Sequence, residues 1–426
     1  MSAPIAAPAT AKLTTPLSPL LRWGTVWLLC FGMIIAYVDR ANLSVALASP
    51  AFRKFFALSD ADRGTVSSVF FWTYAALQIP AGMLVDRYGV KGPYAILFLT
   101  WCLISAATAM VGGFWQLIAI RLLLGVAEAL VTPASLRWIR YNVPEQSRGL
   151  ALGIYMAGTK FGPAIGNWAA TALILKLDWR PMFAILGLGG LIWLVPWLLM
   201  VRADDRELEK LSRKANERAA MPFAEVMRKP VMWAVLVGTF CYNYFVFFSL
   251  TWLPSYFTDR RHLPLGYSGF LSGFSFFGMA TVAILAGYAA DRMIARGRNA
   301  IKVRRWFTIA GFLIASLEIF GAMSDSNAVA ITLAIVSLSG LGLATANYWA
   351  LTQTLFPDAP VGRIAGAQNR ASNLAGATAA SITGWLVQWT GQYDAPMRAV
   401  WIFLLIGVSM YLFVIRERKT PAPATA

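Results

Sequence analysis

The sequence predicts an all-α membrane protein, with twelve transmembrane helices arranged as two pseudo-symmetric six-helix bundles. Composition is the first reason: of 426 residues, 58% are hydrophobic and only 13% are charged, about half the charged share of a soluble globular domain. The second reason is that the apolar residues fall in uninterrupted runs. A helix needs roughly 20 such residues to cross a bilayer, and twelve runs of that kind fit the chain. In the first half they lie at about 23–49, 63–85, 92–111, 114–138, 148–173 and 181–201. In the second half they lie at about 230–257, 266–290, 304–323, 328–355, 362–390 and 395–415. A soluble enzyme with a single anchor is excluded.

The segments between and around the spans support the same plan. Residues 1–21, rich in Ala, Pro and Thr, lack the basic start, apolar core and cleavage site of a secretory signal, and read as a disordered tail. The connection 202–229 holds eight basic and six acidic residues. It separates an N-terminal bundle, 22–201, from a C-terminal bundle, 230–416, and residues 417–426 form a second tail. The formal net charge of +17 taken alone would suit nucleic acid, but its distribution excludes that partner. With both tails on one side, 25 of the 37 Lys and Arg residues fall on that side and 8 on the other. This is the positive-inside bias of a multi-pass protein, so both termini are expected in the cytoplasm, with the protein in a bacterial inner membrane. The remaining four basic residues, Arg40, Arg121, Lys160 and Arg370, lie within spans. Cys30, Cys102 and Cys241 all sit in apolar runs and imply neither disulfides nor a metal cluster.

An internal repeat is the third observation. Gly82 with Asp86-Arg87 recurs as Gly287 with Asp291-Arg292, each offset by 205 residues. After the fourth span of each half comes a further echo, Pro144-Glu145 with Arg148-Gly149 and Pro357-Asp358 with Gly362-Arg363. Two copies of a six-span unit in parallel orientation account for both.

The run Gly82-Met83-Leu84-Val85-Asp86-Arg87-Tyr88-Gly89-Val90-Lys91 closely resembles the loop signature between helices 2 and 3 of the major facilitator superfamily. Within it, Tyr37 to Asn42, Tyr74 with Gln78-Ile79-Pro80, Arg121 with Gly125 and Glu128-Ala129, and Trp252-Leu253-Pro254 are similar to the anion:cation symporters. That group includes bacterial galactonate and glucarate transporters and vesicular glutamate and sialic acid carriers. The resemblance spans residues 22 to 416 and implies a secondary transporter. It further implies a proton-coupling role for Asp39, a place near the substrate for Arg40, and substrate contacts for Tyr74, Gln78, Trp349 and Asn369. The sequence departs from those transporters at Lys160, where they carry Gln, and at Arg370, where they have no cation.

Charged side chains at the bilayer centre cost roughly 2.5 to 3.5 kcal/mol each on insertion scales, so they normally face a cavity or a partner. Seven occur here: Arg40, Arg121, Lys160, Arg370, Asp39, Glu128 and Glu318. Fully ionised, they leave one surplus positive charge, which an anionic substrate would balance. Arg121, Gly125 and Glu128 share one helix face, within about 20°. Either Glu128 titrates with Arg121 tuning it, or the two form a permanent ion pair, and Gly125 leaves room for water or a neighbouring helix. Asp39 and Arg40 point about 100° apart, so one serves the pocket and the other a neighbouring helix. Lys160 and Arg370 either hold the two carboxylates of a dicarboxylate, or Lys160 neutralises Glu128 or Asp39. Glu318 has no functional assignment.

Trp72, Tyr74, Tyr155, Tyr242, Tyr244, Tyr348 and Trp349, with Asn347, Gln353 and Asn373, fall at depths where a cavity could use them or where they could simply pack. The single histidine, His262, falls in a loop, so it is no intramembrane proton relay. No nucleophile with a base, metal-ligand spacing or phosphate loop is present, which excludes an enzyme or a nucleotide-driven pump and calls for no cofactor. The expected function is proton-coupled uptake of a small organic anion, a sugar acid or a dicarboxylate, by a monomer that rocks about a central site. Asp39, Glu128 and Arg121 would couple protons, and Arg40, Tyr74, Gln78, Lys160, Trp349, Asn369 and Arg370 would contact substrate. Asp86, Arg87, Lys91, Asp291 and Arg292 would act as gates. An anion exchanger or uniporter is the alternative. A cation exporter fits the positive interior poorly, and a scaffold would bind ligand without flux.

Overall fold

The computed structural model describes residues 17–202, 223–356 and 361–415. The tails 1–16 and 416–426, most of the central connection, Pro357-Asp358 and the Arg363 side chain lie outside the described residues. All regular structure among those described is helical. The long helices are α1 (Pro19–Ala48), α2 (Asp60–Tyr88), α3 (Lys91–Met110), α4 (Phe114–Asn142), α5 (Glu145–Leu177) and α6 (Trp179–Met200). Their counterparts are α7 (Pro230–Arg260), α8 (Leu265–Ala295), α9 (Ala300–Met323), α10 (Asn327–Leu355), α11 (Val361–Thr390) and α12 (Asp394–Val414). Each matches one expected span, ending at most one residue short of it and extending at most five residues beyond it. Helical hydrogen bonding continues past the apolar stretch because Asp60, Arg87 and Arg292 at the ends are compatible with the helix and favour its dipole.

Local signals set the ends. Ser18 caps α1, accepting from the Leu21 N–H, with Pro19 in the first turn. Ser59 and Asp62 form a reciprocal capping box at the start of α2. Three helices are interrupted: α4 between Glu128 and Val131, α6 by a tight turn at Gly190–Trp193, and α9 between Ala315 and Glu318.

Ten of these helices are long and apolar enough to cross a membrane. The two others, α5 and α11, have 33 and 30 residues and are more polar. They stand in equivalent places in the two halves. The halves meet mainly along α2 against α11 and α5 against α8, a pair of interfaces that the repeat exchanges. Helices on that seam border the space between the halves, which explains why they tolerate Lys160, Asn167, Gln368 and Asn373. Small residues bring backbones together along the way. Gly158, Gly162 and Gly166 of α5 lie against Cys30, Ile34, Tyr37 and Val38 of α1, and Gly64 of α2 lies against Ala380 and Gly384 of α11. Both ends of the described chain emerge at one face of the bundle, here the near face.

Candidate functional site

Packing of α1 onto α5 through those glycines fixes which way the Asp39-Arg40 pair points. Asp39, 3% exposed, turns to α3. It accepts from Trp101 Nε1 at 2.6 Å, Ser105 Oγ at 2.9 Å and Asn42 Nδ2 at 3.1 Å. Arg40 turns to α4 and donates to Glu128 Oε2 from Nη2 at 3.0 Å and from Nε at 3.3 Å. Its guanidinium lies over the rings of Tyr37, Phe70 and Tyr74, 4.5, 4.9 and 5.1 Å from their centroids. With Arg40 only 9% and Glu128 only 1% exposed, each charge depends on the other, because an unpaired ion in such a site costs several kcal/mol.

Glu128 therefore meets Arg40 across the α1–α4 contact and not Arg121 on its own helix. Arg121 lies over Phe70, 5.1 Å from its centroid. Among the described residues no carboxylate is within ion-pairing range of it, and its Nε has no hydrogen-bond partner. The space at Gly125 is taken by Thr73 and the Phe70 carbonyl of α2, not by α1.

Arg40 and Arg121 open onto one small cavity, completed by Ser44, Ser67, Thr251, Leu43, Phe71 and Leu250. The lining draws on both halves, since Leu250 and Thr251 belong to α7. Two guanidiniums, three hydroxyls and an apolar wall form a surface suited to a small anion. Ser44, Ser67 and Thr251 escaped the sequence reading because an isolated hydroxyl in an apolar run carries no signal.

Lys160 sits near the middle of α5 with Nζ 5.4 Å from the centroid of the Tyr242 ring in the opposite half. It pairs with neither Glu128 nor Asp39. Tyr242 is bonded to Thr345 at 2.7 Å and packs on Tyr348 at 4.6 Å, which in turn packs on Trp349 at 5.7 Å. Trp349 also lines a second cavity toward the near face, with Thr352, Gln353, Phe356, Ile364 and Gln368. Tyr74 bonds Thr132 at 3.1 Å, and the Gln78 amide nitrogen is buried without a partner. Asn369 accepts through its carbonyl from Asn373 at 2.7 Å. Arg370 is not brought to the cluster. It is exposed and lies five whole turns before Gln388 on α11, whose side chain accepts from the Ala61 N–H of α2, so it is on the side of α11 turned to the first half. Glu318 is buried in α9 with one unpartnered oxygen, far in sequence and fold from this cluster.

At the near face, Asp86 pairs with Arg137 of α4, and Asp291 with Arg304 of α9 at 3.0 Å. Each pair lies within its own half. Arg87 stacks on Tyr88, Arg292 donates to the Tyr288 hydroxyl at 3.0 Å, and the Lys91 carbonyl accepts from Trp197. The far face has what the sequence reading missed. Asp259 of α7 accepts from Arg63 at 2.9 Å, Arg53 at 3.2 Å and the Tyr393 hydroxyl at 3.2 Å, so one carboxylate of the second half holds two arginines of the first. Arg63 also pairs with Asp60 at 2.6 Å. The sequence carries no sign of this tie, because Asp259 is about two hundred positions from Arg53 and Arg63.

This architecture, with a two-half helical bundle around buried charges, is that of a membrane transporter and not of an enzyme. The Major Facilitator Superfamily profile matches residues 29–380, and the chain belongs to that superfamily. It is 28% identical over 404 residues to the probable L-galactonate transporter of Escherichia coli (strain K12), covering 92% of this chain and 88% of that protein. It is 28% identical to the probable sulfoacetate transporter of Cupriavidus necator, over 91% and 92% of the two chains. It is 27% identical to the hexuronate transporter of Bacillus subtilis, over 88% of each. The fold matches a crystal structure of a bacterial homolog of the human lysosomal transporter Spinster, in an inward-facing and unoccupied conformation, with TM-score 0.76 at 17% identity, over 95% of this chain and 100% of that one.

Proposed function

We propose that the protein carries a small organic anion into a bacterial cell together with protons, by alternating access between the halves 22–201 and 230–416. The observation that carries this reading is the buried Arg40–Glu128 pair at the edge of a cavity that also holds Arg121. The relatives named for galactonate, hexuronate and sulfoacetate support an acidic substrate.

A proton arriving on Glu128 removes the charge that holds Arg40. The freed guanidinium then takes a substrate carboxylate in bidentate fashion, beside Arg121 and the hydroxyls of Ser44, Ser67 and Thr251. Ionised Glu128 and the substrate compete for the same cation, so the anion is held only when the proton is present. Asp39, poised among three donors, is the second protonation site. Tyr74, Gln78, Trp349 and Asn369 shape the space around the substrate. The near face is cytoplasmic in this reading, as the charge bias demands. Asp259 closes the far side on Arg53 and Arg63, while Asp86 and Asp291 brace the cytoplasmic ends. The monomer suffices, with lipid around it. Two protons entering with a monoanion move one net charge, to which the membrane potential adds roughly 2.3 kcal/mol per 100 mV.

The test is proton movement in proteoliposomes loaded with a pH dye, on adding sugar acids, dicarboxylates or neutral sugars as controls. Internal acidification with particular acids, lost in Asp39→Asn or Glu128→Gln, is the expected result. Labelled anion uptake with no pH change would replace this reading by exchange or uniport, with Arg40–Glu128 a permanent pair.

A further inference from the structure

Most buried or half-buried cations in the described bundle have an anion. Arg40 has Glu128, Arg63 has Asp60 and Asp259, Arg137 has Asp86, and Arg304 has Asp291. Arg121 has none among the described residues but shares the Arg40 cavity, whereas Lys160 has none and is not part of that cavity's lining. It is half-buried at the middle of a 33-residue helix, has no carboxylate in ion-pairing range among the described residues, and has the face of Tyr242 as its neighbour. An aromatic face stabilises an ammonium only in part. A strongly hydrated point charge on a flexible stem therefore stands in the protein with its ionic requirement unmet.

Its position says where the missing anion comes from. Lys160 and Thr171 are eleven residues apart, about three turns, and share one face of α5 within roughly 20°. Thr171 lies against Gly269 of α8, and Phe161 meets Phe277 of α8, so this side of α5 faces the opposite half. The glycines that pack on α1 occupy the other side. The ammonium is thus at the seam between the halves, beside the wall formed by Tyr242, Tyr348 and Trp349. Arg40 projects from α1, the helix packed on the back of α5.

We propose that Lys160 is the specificity residue that selects anions with two acid groups, one taken by Arg40 and the other by Lys160. The inference rests on the anion-transport reading above and narrows it to dianions. Arg40 borders a cavity with Leu250 and Thr251 of α7, and Lys160 lies over Tyr242, eight residues before Leu250 and so about 12 Å along that helix, which sets two charged fixing points for one substrate. A monoanion held at Arg40 and Arg121 leaves Lys160 bare. A dianion reaches Lys160 as well, so closure of the seam over Lys160 no longer buries an unpaired ammonium.

The test is competitive uptake in proteoliposomes with matched acids that differ by one acid group: galactonate and galactarate, succinamate and succinate, glycolate and sulfoacetate. The wild-type protein is expected to favour the dianion of at least one pair. In Lys160→Gln the dianion-to-monoanion ratio should fall about 10- to 100-fold, the value of one charge-assisted contact, and Lys160→Arg should restore most of it. The thermal shift that the favoured dianion produces in detergent should shrink in Lys160→Gln while the melting temperature without ligand stays close to wild type. A wild-type preference for the monoanion in every transported pair, or an unchanged ratio in Lys160→Gln, overturns this inference and leaves anion transport standing. Uptake of none of the acids overturns both.

Discussion

The two halves repeat one fold but divide the chemistry unequally. The first half buries Asp39, Arg40, Arg121, Glu128 and half-buries Lys160 within α1, α4 and α5. Around the seam the second half presents Tyr242, Tyr348, Trp349, Gln368 and Asn373, its buried Glu318 lying apart in α9. Gln368 bridges Thr239 and Thr352 at 3.1 and 3.2 Å, a neutral contact that needs no proton. The closures differ in the same sense. The far face is tied across the halves by Asp259, and the near face is braced within each half by Asp86–Arg137 and Asp291–Arg304. The lesson is that symmetry supplies the rocking motion, while asymmetry in charge decides what is coupled to it.

Perturbing the charged half should have the largest effect. Arg40→Ala removes the substrate cation and strands Glu128 in a buried site, a loss of about 2 to 5 kcal/mol for such a pair. Uptake should fall at least about 30-fold, and restored uptake in an Arg40→Lys protein would show that charge alone suffices and that bidentate geometry does not matter. The neutral half should respond in affinity. Trp349→Ala should raise the KM for anion by about 10-fold with proton movement per anion unchanged; a changed stoichiometry would break the proposed division.

The far-face tie should come next. Asp259→Asn leaves Arg63, 1% exposed, without its partner from the other half. A cysteine introduced at Ser67 should then react faster with an external thiol reagent than in the otherwise wild-type background, by several-fold. Equal rates would mean that the gate does not depend on this carboxylate. The smallest effect belongs to Asp86, whose side chain is 68% exposed and whose pair is worth at most about 1 kcal/mol. Asp86→Asn should reduce the transport rate and leave substrate binding by thermal shift intact; an unchanged rate would remove the near-face latch from the account.

Much of the fold was legible because burial in lipid writes itself into long apolar runs. All twelve expected spans have a helix, and the Gly82 and Gly287 repeats revealed the two halves. The interruptions in α4, α6 and α9 were not legible, since each lies inside an apolar run and reflects how helices pack. For the site, the sequence named the buried charges but not their partners. Asp39 and Arg40 are adjacent, and only the rotation of α1 on the Gly158-Gly162-Gly166 face decides that one meets Trp101 and the other Glu128. Arg370 shows another limit: depth along the chain does not give direction around the helix, and only the Ala61–Gln388 contact shows which side of α11 it shares.

The central claim is that a proton on Glu128 releases Arg40 for the substrate. Glu128→Gln mimics the protonated state permanently, so the measurement is accumulation of a labelled anion against exchange of that anion between equal pools, both in proteoliposomes. The account predicts that pH-driven accumulation is lost while exchange continues. Accumulation driven by a pH gradient at the wild-type level in Glu128→Gln would contradict it.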